Sequence, residues 1–179
     1  MQPLAHEMVH FFQDAYAPPV GIKGISSYRI VEGMAEWIST FSGDIPEGPY
    51  SFMQRNDQRE KEFLELIDQR DGRWPIPLEL ILTVSDGRSF EILAEDLFEE
   101  DEELAALGSR DDVVHRLTCW FYAATYSICR YCYADNEKPF IDYIKAEFSG
   151  DGDVEVLQSL LGYTDLEELE ESIESFVRR

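Results

Sequence analysis

Val113, Val114, Leu117, Trp120, Phe121, Ala124, Ile128 and Tyr131 follow one another at mixed spacings of three and four. That period is helical and gives one broad apolar face. The residues between them add further apolar side chains, so the helix is apolar nearly all round. Such a helix cannot lie on a surface; other helices have to enclose it. Asp111 and Asp112 suit its first turn, where acidic groups meet the positive end of the helix dipole. It does not read as a membrane span, because Thr118, Thr125, Ser127 and Arg130 break its longest apolar stretch, Leu117 to Ala134. The expectation is an all-α fold built around this helix.

The rest of the chain is punctuated into helices of ordinary length. Pro3 to Asp14 reads as a first helix, followed by a loop with two prolines and two glycines through Gly24. Ser26 or Ser27 can cap a second helix that stops near Gly43, and Asn56 or Asp57 a third that ends before Gly72. Pro77 to Thr83 reads as a short helix or an extended piece, Ser85 to Arg88 as a turn, and Phe90 to Phe98 as helix or strand. Glu99 to Glu103 is an acidic run, expected to be a solvated face or a helix start. After the central helix, further helices are expected near Lys138 to Phe148, Asp153 to Leu161 and Asp165 to Val177. The total is about seven or eight helices, with no clear strand. All 179 residues are expected to form one domain, with 1–42 and 109–179 as its two most legible parts.

Charge narrows the function classes. The chain has 37 acidic and 15 basic residues, a formal net charge of −22. Such a surface repels phosphate backbones and anionic lipids, so neither nucleic acid nor a membrane is an expected partner. Met1 to His10 lacks the basic and apolar regions of a signal peptide, which favours a cytoplasmic location.

Those first residues carry chemistry instead. His6-Glu7-Met8-Val9-His10 matches H-E-x-x-H. On a helix, positions i and i+4 share a face, so both imidazoles can reach one metal ion. Glu7 lies beside that face, where its carboxylate can hold a metal-bound water. Neutral imidazoles suit zinc, and a catalytic zinc takes a third protein ligand. The second helix offers Glu32 and Glu36, four apart on one face. Two ordinary exposed glutamates would read the same way. Gly33 costs helix stability, and its missing side chain would let the first helix, or a metal, come close. Asp14, one turn beyond His10, can orient His10 as a hydrogen-bond acceptor or serve as the third ligand itself.

His6-Glu7-Met8-Val9-His10 followed by Val31-Glu32-Gly33-Met34-Ala35-Glu36-Trp37 resembles the gluzincin arrangement of zinc metallopeptidases. In that family the glutamate of an E-G-x-A segment is the third ligand, which implies Glu32 here. The resemblance also implies that His6 and His10 are ligands, that Glu7 is the general base, and that Glu36 supports the ligands from behind. Trp120 to Ile128, Pro139 to Ala146, Leu161-Gly162-Tyr163 and the acidic last helix are more loosely similar to bacterial peptidase-MA-like domains. Tyr122 falls on the tyrosine of the family's Tyr-Ala segment, which implies a donor to the oxyanion. Tyr126, one turn later, is the alternative. The implied activity is zinc-dependent hydrolysis of a peptide or protein substrate. A catalytically inactive, zincin-like interaction module is the other reading. Zincins place a small sheet before the H-E-x-x-H helix. Only five residues precede His6, so that sheet is expected to be absent, truncated, or supplied by a missing N-terminal segment or partner chain.

Cys119, Cys129 and Cys132 are too few and too close for a disulfide framework. Cys129 and Cys132 have C-x-x-C spacing but sit late in a helix, where no helix N-terminus stabilises a thiolate. Buried structural thiols are expected, with a second metal site formed by the three thiols and His115 as the alternative.

Overall fold

The computed structural model describes residues 6–11, 28–39, 57–149 and 154–179. Every regular element among the described residues is a helix. In chain order they are α1 (6–11), α2 (Tyr28–Ser39), α3 (Asp57–Asp68), α4 (Leu78–Ile81), α5 (Gly87–Glu100), α6 (Glu102–Ala105), α7 (Arg110–Ser149), α8 (Val154–Leu161) and α9 (Leu166–Val177). The all-α expectation holds for them. No described helix is long and apolar enough to cross a membrane.

Helix α7 is the axis of the core. Helices α2, α3, α5, α8 and α9 all pack against it, and Leu117, Trp120, Phe121, Ala124, Tyr126 and Ile128 are buried. The three hydroxyl residues that interrupt its apolar stretch are each satisfied within the helix. Thr118 Oγ1 donates to the Val114 carbonyl at 2.8 Å, Thr125 Oγ1 to Tyr122 at 3.1 Å, and Ser127 Oγ to Ala123 at 2.8 Å. A hydroxyl bonded to the preceding turn can be buried without leaving a donor unpaired. Arg130 instead pairs with Glu60 of α3.

The two helices read from the sequence are both present, joined within α7 at a kink. Asn136 leaves helical geometry (φ −141°, ψ 61°), three residues before Pro139. Proline has no N–H to donate and its ring crowds the carbonyl four residues back, so the helix bends there.

Corrections fall on the short connections. Ser85 to Arg88 is not a free turn. It starts α5, with Asp86 accepting from Ser89 N at 2.7 Å and Ser89 Oγ accepting from Asp86 N at 3.0 Å. This reciprocal cap satisfies two otherwise orphaned donors. The acidic run is a helix start, as expected: α6 begins in it because Asp101 caps it through Glu103 N and Leu104 N. Arg70 and Arg73 bind Asp101 and Glu103, so part of the run is paired. Phe90 to Phe98 is helical, and Pro77 to Thr83 contains the single turn α4. Asp165 caps α9, accepting from Glu168 N at 2.7 Å. Ser26, Ser27, Asn56 and Asp153 lie outside the described residues.

What comes close at Gly33 is α7, not the first helix or a metal. A Cβ there would lie 2.5 Å from the Thr125 carbonyl oxygen and 2.8 Å from Cys129 Sγ. The nearer atom is backbone in the middle of α7 and cannot swing aside. Helix propensity alone favours Gly33→Ala by about 1 kcal/mol. Overpacking of about 1–3 kcal/mol opposes it. Because the clash is with main chain, we expect net destabilisation, read as a lower urea midpoint. A higher midpoint would mean that α2 and α7 are not this close.

Candidate metal centre

Close contact at Gly33 fixes how α2 presents its neighbouring face. Ile30, Ala35 and Trp37 are buried on α2, and Glu32 is buried with them at 8 % exposure. A carboxylate in that position needs cationic or metal partners. Its partners come from α1. Glu32 Oε2 lies 3.4 Å from His6 Nε2, and Glu32 Oε1 lies 3.5 Å from His10 Nε2. The two Nε2 atoms are 2.9 Å apart, with the rings edge to face at 82°.

These distances can be set against what zinc requires. Ligand atoms held tetrahedrally at about 2.0–2.1 Å lie about 3.3–3.4 Å from one another. Glu32 meets the two imidazoles through different oxygens and the two nitrogens lie closer together than that value, while one ligand atom from each residue falls within 4.8 Å of the others. No other group of three or more His, Cys, Asp or Glu among the described residues converges in this way. The donor set, two imidazole nitrogens and one carboxylate oxygen, suits zinc.

Electrostatics at Glu32 follow from its place. Burial pushes its carboxyl above the usual range. His10 and His6 pull it back down, while Glu36 and Glu7 push it up again. Glu7 is therefore within electrostatic reach of the trio, yet it is exposed and stands outside the group of ligand atoms.

Behind the trio, Glu36 Oε1 lies 3.4 Å from His6 Nδ1. An acceptor at the far nitrogen fixes the imidazole tautomer, leaving the Nε2 lone pair directed at the metal. Arg59, in the first turn of α3, donates from Nε to Glu36 Oε2 at 2.8 Å and from Nη1 to Glu62 Oε2 at 2.8 Å. Its guanidinium sits over the Tyr122 ring, 5.8 Å from the centroid.

The sequence-derived residues therefore divide. His6, His10 and Glu32 come together, with Glu36 against His6. Tyr122 is half-buried beneath Arg59, linked to the histidines through Arg59 and Glu36. Tyr126 is completely buried and belongs to the core. Asp14 lies outside the described residues. His115 is exposed, with Nε2 3.8 Å from Cys119 Sγ, and the two gather no third ligand among the described residues. Cys129 and Cys132 are buried free thiols, both pushed well up by desolvation. Arg59 is the residue that sequence reasoning missed. Its partner is 23 positions away, and no periodicity connects them.

Comparison of the chain with protein families, with curated proteins and with solved structures finds no match.

Proposed function

We propose that this chain is a zinc-dependent peptidase or peptidase-like hydrolase of gluzincin type, with a zincin-like helical core. The observation that carries the reading is the convergence of His6, His10 and the buried Glu32, with one ligand atom of each within 4.8 Å of the others. Three residues from two helices supply a complete catalytic ligand set, and Glu7 stands beside it uncommitted to the trio.

His6, His10 and Glu32 would hold zinc, which when bound would supply Lewis-acid polarisation of a water. Glu7 then accepts the proton of the attacking water and returns it to the departing amine nitrogen. Tyr122 donates its phenolic hydrogen to the oxyanion. Glu36 holds the tautomer of His6. The net charge of −22 steers basic or neutral peptides toward the site in preference to acidic ones.

One observation favours a second reading. The described residues contain no strand, and so no edge to which an extended peptide could add. A catalytically inactive helical interaction module of zincin type fits that feature.

Metal content tests the proposal. The purified, tag-free protein is expected to hold about one zinc per chain, and Glu32→Ala to lose it. No zinc in the parent, even after reconstitution, would overturn the metal site and leave the interaction module.

A further inference from the structure

We infer that Arg59 is a positioning residue of the metal centre, acting through Glu36 on His6. The inference rests on the zinc site proposed above and adds to it a third helix, α3.

Glu36 divides its two oxygens. Oε2 accepts from Arg59 Nε at 2.8 Å, and Oε1 faces His6 Nδ1 at 3.4 Å. A glutamate has several free torsions, so facing an imidazole does not by itself hold it there. The guanidinium is what restricts it. Arg59 is in turn held on its other edge by Glu62 Oε2, 2.8 Å from Nη1, and from below by the Tyr122 ring. With 21 % of its side chain exposed, it is partly withdrawn from solvent, where a charge-assisted hydrogen bond keeps more of its strength. The rigid fork of a guanidinium can serve two carboxylates in fixed directions, which a lysine ammonium cannot reproduce.

Charge leads to the same conclusion. Glu7, Glu32, Glu36 and Glu62 bring four carboxylates into one region around two imidazoles. Arg59 contacts two of them directly. It draws Glu36 toward α3, so that Glu36 meets the back of His6 and does not compete with Glu32 for the metal side. Helix α3 packs on α7, as α2 does. The site is thus braced from the same helix that carries Gly33's contact.

A salt bridge that only joins α2 to α3 would look similar, so the test must separate stability from positioning. Zinc affinity is measured by competition with a chromophoric chelator, alongside the visible spectrum of the cobalt-substituted protein and urea unfolding of the zinc-free protein. His6→Ala serves as the control that loses metal. Arg59→Met is expected to weaken zinc binding about 10-fold, the lower end of what supporting residues contribute, and to shift the cobalt bands. Arg59→Lys is expected to restore less than half of that loss on a logarithmic scale. Glu36→Gln is expected to weaken zinc to a similar extent, and adding Arg59→Met to it to change little more, because the two act in series.

Unchanged affinity and cobalt bands in Arg59→Met and Arg59→Lys would overturn the inference, even if unfolding shifts. So would additive losses in the double variant. Should Arg59→Met fail to fold, Arg59→Lys and Glu62→Gln (which loosens Arg59 without removing it) carry the same comparison. A parent that binds neither metal would overturn the zinc site itself, and the inference with it; a parent that binds, with Arg59 variants indistinguishable from it, removes only Arg59.

Discussion

Glu7→Gln is expected to keep its zinc and to lower peptide hydrolysis by about 10²–10⁴-fold, the usual contribution of a general base. The amide matches the carboxylate in shape but cannot take up a proton. Zinc retention follows from geometry, since Glu7 is exposed and lies outside the His6–His10–Glu32 trio. Its charge raises the Glu32 carboxyl, so removing it eases deprotonation of that ligand and works against metal loss. The measurement is turnover of a quenched-fluorescent peptide mixture by zinc-loaded parent and variant, with metal content determined on both. Equal turnover would remove Glu7 from the mechanism. A zinc-loaded parent that cleaves nothing would favour the inactive module instead.

The second large effect lies in the core. Glu60 and Arg130 form an ion pair between α3 and α7, at 4 % and 9 % exposure. The Arg130 guanidinium also faces the Phe176 ring of α9, 4.7 Å from its centroid, and its Nε has no hydrogen-bond partner among the described residues. Arginine does not give up its proton when buried. Glu60→Ala therefore leaves a charge inside the protein and is expected to cost about 3–5 kcal/mol. Total stability of a domain is only about 5–15 kcal/mol, so the urea midpoint should fall steeply. Replacing both, as Glu60→Leu with Arg130→Met, should restore most of the loss, since the pair is worth little more than apolar packing of similar volume. If the double variant is no more stable than Glu60→Ala, stranded charge is not the cause.

The central helix and much of the candidate site were legible because their information is local. A spacing of three and four writes the long helix directly, and a spacing of four puts His6 and His10 on one face. Glu32 and Glu36 could be reached because they too share a face, and a resemblance ranked one above the other. The capping box at Asp86 and Ser89 was read as a turn, since the same residues serve both, and only the hydrogen-bond partners distinguish them. Tyr122 and Tyr126 looked interchangeable one turn apart. Packing separates them, enclosing Tyr126 entirely and leaving Tyr122 beneath a guanidinium.

By itself, then, the sequence determined the helical class, the central position of the Val113–Tyr131 segment, and a pair of histidines able to share an ion, because helical periodicity is a property of neighbours along the chain. Only the tertiary structure decided how close α2 comes to α7 at Gly33, that Glu32 is buried against both imidazoles, and that Arg59 reaches Glu36 from α3. Those relations join residues with no common period, and they exist only once separate helices have been packed together.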